Sequence, residues 1–186
     1  MSELSGKDWW HKNQSRYPNS RDVQDLAAGF QENVVRFTRV LREGGAKVQV
    51  SSTRRNPIRA YLMHYSWRLG HEEIAAADIP QMAGVNIEWD HGDEKTSQST
   101  AREMQELFNI AYRPSLTSNH IKGLAIDMDI QWSGDLFLGP LPDGSFQGVV
   151  DGRRTGADNR DLHAIGELFD VHKLRKDPPH WSYDGR

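Results

Sequence analysis

Two short stretches of the sequence bring together histidine and acidic side chains, the residue types that hold metal ions and transfer protons. The first contains His120 and Asp127, and the second contains Asp177 and His180. The chain has no cysteine, so any metal must be held by His, Asp or Glu side chains. The two stretches are therefore the first candidates for a functional site.

The first stretch leads into the clearest strand pattern of the chain. Residues 124–130 alternate strictly between apolar and other side chains, which predicts a strand with Asp127 and Asp129 on the face away from the core. In one continuous strand His120 would point the other way, but Gly123 allows a bend that brings it back. His120 and Asp127 would then be two of the three protein ligands of a catalytic zinc. The alternative is a capped turn followed by a solvent-facing aspartate.

The second stretch is stiffened by two consecutive prolines, Pro178 and Pro179. They favour a polyproline II backbone with about three residues per turn, so Asp177 and His180 are expected to project from the same side. Such a pair suits a metal ligand with a carboxylate beside it, directed at a metal-activated water. The alternative is a proline turn that carries a surface histidine.

Together the stretches form the pattern Ser-x-His-x-x-Gly-x-Ala-x-Asp at residues 118–127, followed by Asp-x-x-His-Trp at 177–181. This pattern resembles the zinc peptidases of the D-Ala-D-Ala carboxypeptidase and dipeptidase family. That family includes phage L-alanyl-D-glutamate endopeptidases and shares its core fold with the Hedgehog signalling domain. The segment Ser-Thr-Arg-Arg at 52–55 is similar to the family's Ser-Gly-Tyr-Arg-Ser element.

The resemblance implies a role for each matching residue. It makes His120, Asp127 and His180 the ligands of a Zn²⁺ ion. It also places Asp177 at the position of the general base, which is a Glu in the carboxypeptidases and an Asp in some endopeptidases.

The remaining matches concern the substrate. Ser118 falls where a hydroxyl helps to hold the substrate, and Arg55 falls where a guanidinium faces the scissile carbonyl. Arg54 replaces the usual tyrosine, so either arginine is a candidate for the substrate contact. Trp181 is interpreted as a wall of the site, with core packing as the alternative. Asp129 is a candidate partner for the second ring nitrogen of a ligating histidine.

His91 is the best alternative metal ligand, because it lies in a Trp-Asp-His-Gly loop. His64 and His71 are interpreted as helix-surface or helix-end residues, and His11 lies in the N-terminal arm. His163 and His172 show no ligand spacing.

Helices precede a small sheet in the predicted order, without the regular alternation of a parallel fold. The fold class is therefore α+β, and the resemblance refines it to a single domain with a small antiparallel sheet flanked by helices, as in the Hedgehog and D-Ala-D-Ala peptidase core. Apolar periodicity predicts helices over 22–43, 57–69, 100–112 and 162–169, and strands over 46–52, 85–89 and 124–130.

Residues 1–21 are polar and carry the adjacent pair Trp9 and Trp10, which predicts an N-terminal arm that docks by its aromatic rings. Contact with glycan strands is the alternative role for this pair. Residues 22–186 are expected to form the zinc peptidase domain, with a possible insertion over 70–99.

Composition excludes some classes of partner. The chain has 186 residues and a formal net charge of −3, which argues against a nucleic-acid binder that neutralises phosphates. No apolar run reaches the roughly 20 residues of a membrane helix, so no membrane partner is expected. The N-terminus lacks the apolar stretch of a secretory signal, which predicts synthesis in the cytoplasm without standard export.

The expected activity is that of a zinc metallopeptidase, a carboxypeptidase or endopeptidase that hydrolyses the stem peptides of bacterial peptidoglycan. Its site of action would then be the periplasm or cell wall, reached by a non-standard route. A phage lysis enzyme and an antibacterial effector delivered into a neighbouring cell both fit, and the effector implies a cognate inhibitor protein. The alternative is a non-catalytic zinc-containing module that binds the cell wall, which would not need the carboxylate of Asp177.

Overall fold

The computed structural model describes residues 3–110 and 112–186, and these form two compact units. The helical unit consists of Met1–Pro18 and Asn56–Ser118, and the sheet unit consists of Asn19–Arg55 and Asn119–Arg186. The mixture of helices and small sheets confirms the α+β class.

The helices differ widely in length, from a single turn to sixteen residues. They are α1 (Lys7–Asn13), α2 (Ala28–Glu43), α3 (Pro57–Gly70), α4 (Glu94–Phe108), α5 (Asn119–Lys122) and α6 (Arg160–Leu168). None of these helices is both long enough and apolar enough to span a bilayer.

The strands are short, and β4 is the longest. They are β1 (Glu3–Leu4), β2 (Lys47–Ser52), β3 (Ile87–Glu88), β4 (Ala125–Gln131), β5 (Leu136–Leu138), β6 (Gln147–Val149), β7 (His172–Lys173) and β8 (His180–Ser182).

Capping explains where α4 begins and ends. The predicted helix over 100–112 starts earlier, because the Asp93 carboxylate accepts a hydrogen bond from the Thr96 amide at 2.9 Å and caps the first turn. It ends at Phe108, where Asn109 adopts a left-handed conformation with φ of 51°. Residue 111 of the predicted helix lies outside the described residues.

In the helical unit, α3 packs against α4, and β1 pairs in parallel with β3. The aromatic pair of the predicted arm lies in α1, where Trp9 and Trp10 are only 4% and 2% exposed. Burial of both rings agrees with a docking role and leaves no aromatic surface for glycan at this position. The described part of this segment starts at residue 3, and the unit boundary falls after Pro18, close to the expected end of the arm.

The sheet unit is built on four antiparallel strands in the order β2-β4-β8-β7. One face of β4 is fully apolar, with Ile126, Met128 and Ile130 at most 1% exposed. These side chains pack with Phe37 and Leu41 of α2. The strictly alternating sequence therefore produces the predicted two-faced strand, and the face opposite to the core is available to the site. The loop-rich region that follows folds into the hairpin β5–β6.

Candidate metal centre

The sheet register sets two of the three predicted ligands side by side. Asp127 of β4 lies directly opposite His180 of β8, and on its other side it faces Ser52 of β2. Opposed residues of antiparallel strands project from the same face, so both side chains emerge on the face away from the apolar core.

The third ligand reaches this face through a sharp bend. His120 lies in the single turn α5, and Gly123 follows with φ of +71°, a conformation that favours glycine. The Gly123 amide donates to the His120 carbonyl at 3.2 Å, and the Leu124 amide donates to the Asn119 carbonyl at 2.9 Å. The predicted bend at Gly123 is therefore confirmed, and it carries the chain from α5 directly into β4.

Three ligand atoms converge from these elements. His120 Nε2 lies 3.2 Å from Asp127 Oδ1 and 3.2 Å from His180 Nδ1, and His180 Nδ1 lies 3.1 Å from Asp127 Oδ1. His120 and His180 are buried at 3% and 7% exposure, and the Asp127 side chain is 18% exposed. The three atoms thus form a nearly equilateral triangle, and Asp127 is the most exposed of the three side chains.

The second ring nitrogens fix the tautomers of both histidines. His120 Nδ1 lies 2.6 Å from the Thr53 carbonyl, and His180 Nε2 lies 3.1 Å from the Arg186 carbonyl. A carbonyl oxygen only accepts, so each of these nitrogens carries the hydrogen and donates it. When such a ring is neutral, its converging nitrogen offers a lone pair, as metal ligation requires, and when that nitrogen also carries a proton it donates to Asp127 instead.

These hydrogen bonds correct the proposed role of Asp129. Its side chain is exposed on β4 and contacts neither histidine, because main-chain carbonyls already occupy both second ring nitrogens.

The donor set fits a metal cation. Two imidazole lone pairs and a carboxylate oxygen repel one another at about 3 Å unless a positive charge lies among them. A tetrahedral ion with bonds of about 2.0–2.1 Å separates its ligand atoms by about 3.3–3.4 Å, close to the observed triangle. Burial raises the pKa of the Asp127 carboxyl, but hydrogen bonds with His120 and His180 outweigh it and hold that pKa well below its usual value. His120, Asp127 and His180 therefore lie close enough to one another to hold a metal ion.

The two candidate arginines differ in placement. The Arg54 side chain is exposed, and its carbonyl accepts a hydrogen bond from the Ser20 amide at 2.9 Å. Arg55 is half-buried, its Nε has no hydrogen-bond partner among the residues that the structure describes, and its guanidinium lies in the electrostatic field of Asp127 and Asp177. Burial lowers the pKa of Arg55, and these two carboxylates oppose that shift. Of the two arginines, Arg55 is the one that the structure brings toward the metal ligands.

Asp177 and His180 are joined by a turn, which differs from the predicted polyproline geometry. The His180 amide donates to the Asp177 carbonyl at 3.1 Å, whereas polyproline II has no internal hydrogen bonds. The Asp177 side chain is exposed at the start of this turn. The two prolines thus occupy the central positions of a closed turn that ends on the metal-ligating histidine.

Of the remaining predicted substrate residues, Trp181 lies away from the site. Trp181 follows His180 on β8 and points to the opposite face, where it is fully buried and packs against Phe37 with ring centroids 5.5 Å apart. It is therefore a core residue and does not form a wall of the site. Ser118 is half-buried and is the last residue of the helical unit.

The alternative ligand His91 belongs to the helical unit, where its Nε2 lies 3.0 Å from Ser5 Oγ and 3.2 Å from Thr100 Oγ1. These hydroxyls provide hydrogen-bond partners for the His91 ring. His91 does not belong to the group of potential ligands formed by His120, Asp127 and His180.

Sequence reasoning missed the carbonyls of Thr53 and Arg186, which hold the two ligating rings. Main-chain acceptors leave no signal in residue type. The only available signal is proximity in sequence to the motifs. Thr53 lies two residues before Arg55, and Arg186 lies six residues after His180.

The chain matches no protein-family model, no curated protein and no solved structure. Its function is therefore inferred from the side chains of the site and from the sequence pattern that contains them.

Proposed function

We propose that the chain is a zinc-dependent peptidase that hydrolyses stem peptides of bacterial peptidoglycan. The observation that carries the proposal is the triangle of His120 Nε2, Asp127 Oδ1 and His180 Nδ1, with sides of 3.1–3.2 Å. The choice of zinc follows from the ligand types, since two imidazoles and one carboxylate are a set that zinc hydrolases use.

Zinc held there supplies Lewis acidity, which polarises a carbonyl and acidifies water. Asp177 accepts a proton from the attacking water on a carboxylate oxygen. It then passes that proton to the leaving amine nitrogen as the C–N bond breaks. The second ring nitrogens of His120 and His180 stay bonded to main-chain carbonyls, which keeps the other nitrogen of each ring directed at the metal position.

Arg55 stabilises the negative charge that develops on the carbonyl oxygen. Its half-buried guanidinium lies in the electrostatic field of Asp127 and Asp177, beside the proposed metal ligand and base, and its buried Nε has no hydrogen-bond partner among the described residues. Burial strengthens such a charge interaction compared with water.

Peptidoglycan is proposed as the substrate because of the paired motifs at residues 118–127 and 177–181. These retain the ligand, hydroxyl and base positions of the D-Ala-D-Ala peptidase pattern in the same order. The exposed carboxylate of Asp177 favours an enzyme over a zinc-containing binding module, which has no use for a base.

The decisive experiment incubates purified protein with intact peptidoglycan and identifies released muropeptides by mass spectrometry. We expect products that disappear with a chelator and return when zinc is added back. The mass of the product identifies the bond that is cut.

Two variants of the same strand provide the control. Asp127→Asn is expected to lose both bound metal and activity, whereas Asp129→Asn on the exposed face of β4 should keep both. Products that persist after complete metal removal would contradict the proposal. A wild-type protein that holds one zinc per chain and releases no product would instead support the cell-wall binding module.

A further inference from the structure

The turn that carries Asp177 and His180 is closed by a ring of three main-chain hydrogen bonds. The Leu174 amide donates to the His180 carbonyl, the His180 amide donates to the Asp177 carbonyl, and the Asp177 amide donates to the Leu174 carbonyl, each at 3.1 Å. Each of the three residues therefore donates once and accepts once within the ring.

The same three carbonyls also converge on one side chain. Lys173 Nζ donates to the carbonyl oxygens of Leu174 at 2.6 Å, Asp177 at 2.5 Å and His180 at 3.1 Å. An ammonium group has three hydrogens, so this arrangement satisfies all of them with main-chain acceptors. The ammonium group of Lys173 is thus surrounded by main-chain carbonyls of the turn.

Lys173 is only 8% exposed and lies on β7, opposite Trp181 of β8. Burial lowers its pKa to about 8, and the carboxylates of Asp177, Asp127 and Asp158 oppose that shift. A buried positive charge is stable only where acceptors surround it, and here the acceptors belong to the turn itself.

We infer that Lys173 is a positioning residue, which sets the shape of the 174–180 turn and thereby the placement of Asp177 and His180 in the proposed metallopeptidase. Three carbonyl oxygens directed at one point repel one another, and the ammonium converts that repulsion into attraction. Without the ammonium group, the three carbonyl oxygens repel one another, and we expect the turn to open.

The turn is otherwise fastened to the sheet mainly at its end. The Met128 amide donates to the Pro179 carbonyl at 2.8 Å, which anchors the residue just before His180. Within the described part of the chain, Asp177 makes no comparable hydrogen bond to β4, so we expect the loss of Lys173 to displace Asp177 more than His180.

The inference rests on the proposed metal site, and Lys173→Met tests it with readouts that need no substrate. The variant retains an unbranched side chain but removes the charge and the donors. We expect Co²⁺, used as a spectroscopic probe, to bind about 10–100-fold more weakly than in wild type. We also expect faster hydrogen exchange at the amides of Leu174, Asp177 and His180.

Lys176→Met is the matched control, because Lys176 lies on the same turn with an exposed side chain. It should leave Co²⁺ affinity and amide exchange unchanged. Activity adds a further distinction: displacement of the base lowers kcat in zinc-saturated Lys173→Met more than it raises KM.

If Lys173→Met fails to fold, Lys173→Ala can be refolded with n-propylammonium, which replaces the missing carbons and ammonium. Rescue by this amine but not by tetramethylammonium, which has no N–H donor, would support the inference. Equal effects of the two cations would overturn the inference. Wild-type Co²⁺ affinity and amide exchange in a folded Lys173→Met protein would overturn it as well. Absence of chelator-sensitive hydrolysis in the wild type overturns the proposed peptidase and leaves these readouts intact.

Discussion

Asp127 and His180 form a cross-strand pair in the antiparallel sheet, and Asp127 Oδ1 lies 3.1 Å from His180 Nδ1. Because successive residues of a strand point to opposite faces, a shift of β8 by one residue would replace His180 at this position and turn it toward the core. The neighbouring Trp181 counteracts such a shift, since its fully buried ring is the large core residue of that strand. Core packing thus fixes the register that forms the ligand pair.

Replacing Gly123 by alanine is expected to weaken metal binding by disturbing the bend between His120 and Asp127. A left-handed conformation costs an alanine about 1–2 kcal/mol, and its Cβ would also lie 2.9 Å from the Ala27 amide nitrogen. Gly134→Ala is a matched control, because Gly134 has φ of +68° but open space around the added Cβ. Calorimetric titration with zinc should show a loss for Gly123→Ala alone, and equal zinc affinity in both variants would refute the role given to the bend.

Substitutions of Arg54 and Arg55 should have clearly different effects on kcat. Arg55→Met is expected to lower kcat by about 10²–10³-fold, the usual cost of removing one donor to a developing oxyanion. Arg54→Met should stay near wild type, because that side chain is exposed. Steady-state hydrolysis of a stem-peptide substrate checks both, and a larger defect in Arg54→Met would reverse the assignment.

Asp177→Asn should abolish hydrolysis while the protein still binds zinc. The amide keeps the size of the side chain but cannot accept the proton of the attacking water. Metal content measured by mass spectrometry, together with the muropeptide assay, separates loss of the base from loss of the metal. Near-normal activity in this variant would show that another group acts as the base.

His163 predicts a pH dependence of stability that is separate from the metal ligands. It is buried in the core, its Nε2 donates to the Gly156 carbonyl at 2.8 Å, and burial lowers its pKa. The unfolded chain takes up a proton on this residue near pH 6.5, whereas the folded chain does so only at lower pH. The free energy of unfolding should therefore fall as the pH is lowered from about 6.5 toward the folded-state pKa.

His163→Gln tests this contribution, because its amide can still donate to Gly156 but does not titrate. Urea unfolding at pH 7 and pH 5 should show a smaller acid-induced loss of stability in the variant than in wild type. An identical loss in both proteins would exclude His163 as a source of the acid sensitivity.

Local residue patterns predict the part of the site that is formed by β4 and the bend before it. The alternation over 124–130 predicted which face of β4 carries Asp127, and the glycine at position 123 predicted the bend toward His120. Both depend on local backbone preferences, which a short sequence window contains. The coarse α+β class follows from the same kind of pattern.

The parts that escaped prediction depend on distant segments. The partners of His120 and His180 are carbonyls of Thr53 and Arg186, and any residue type supplies a carbonyl. The Asp177–His180 turn departs from polyproline geometry because its carbonyls are gathered around Lys173, a tertiary contact that proline preferences do not include. Trp181 beside a ligand was ambiguous until the strand register showed which face it occupies.

The position of β8 between β4 and β7 has a consequence for the order in which a newly made chain gains its metal. A ribosome completes His120 and Asp127 long before it reaches His180, which is 60 residues beyond His120. Until then the nascent chain offers only two ligands, and β4 has an open edge where its partner will insert. Capture of the ion and closure of the sheet thus become one late event in biosynthesis, and any fragment that stops short of β8 is a chain without a metal centre.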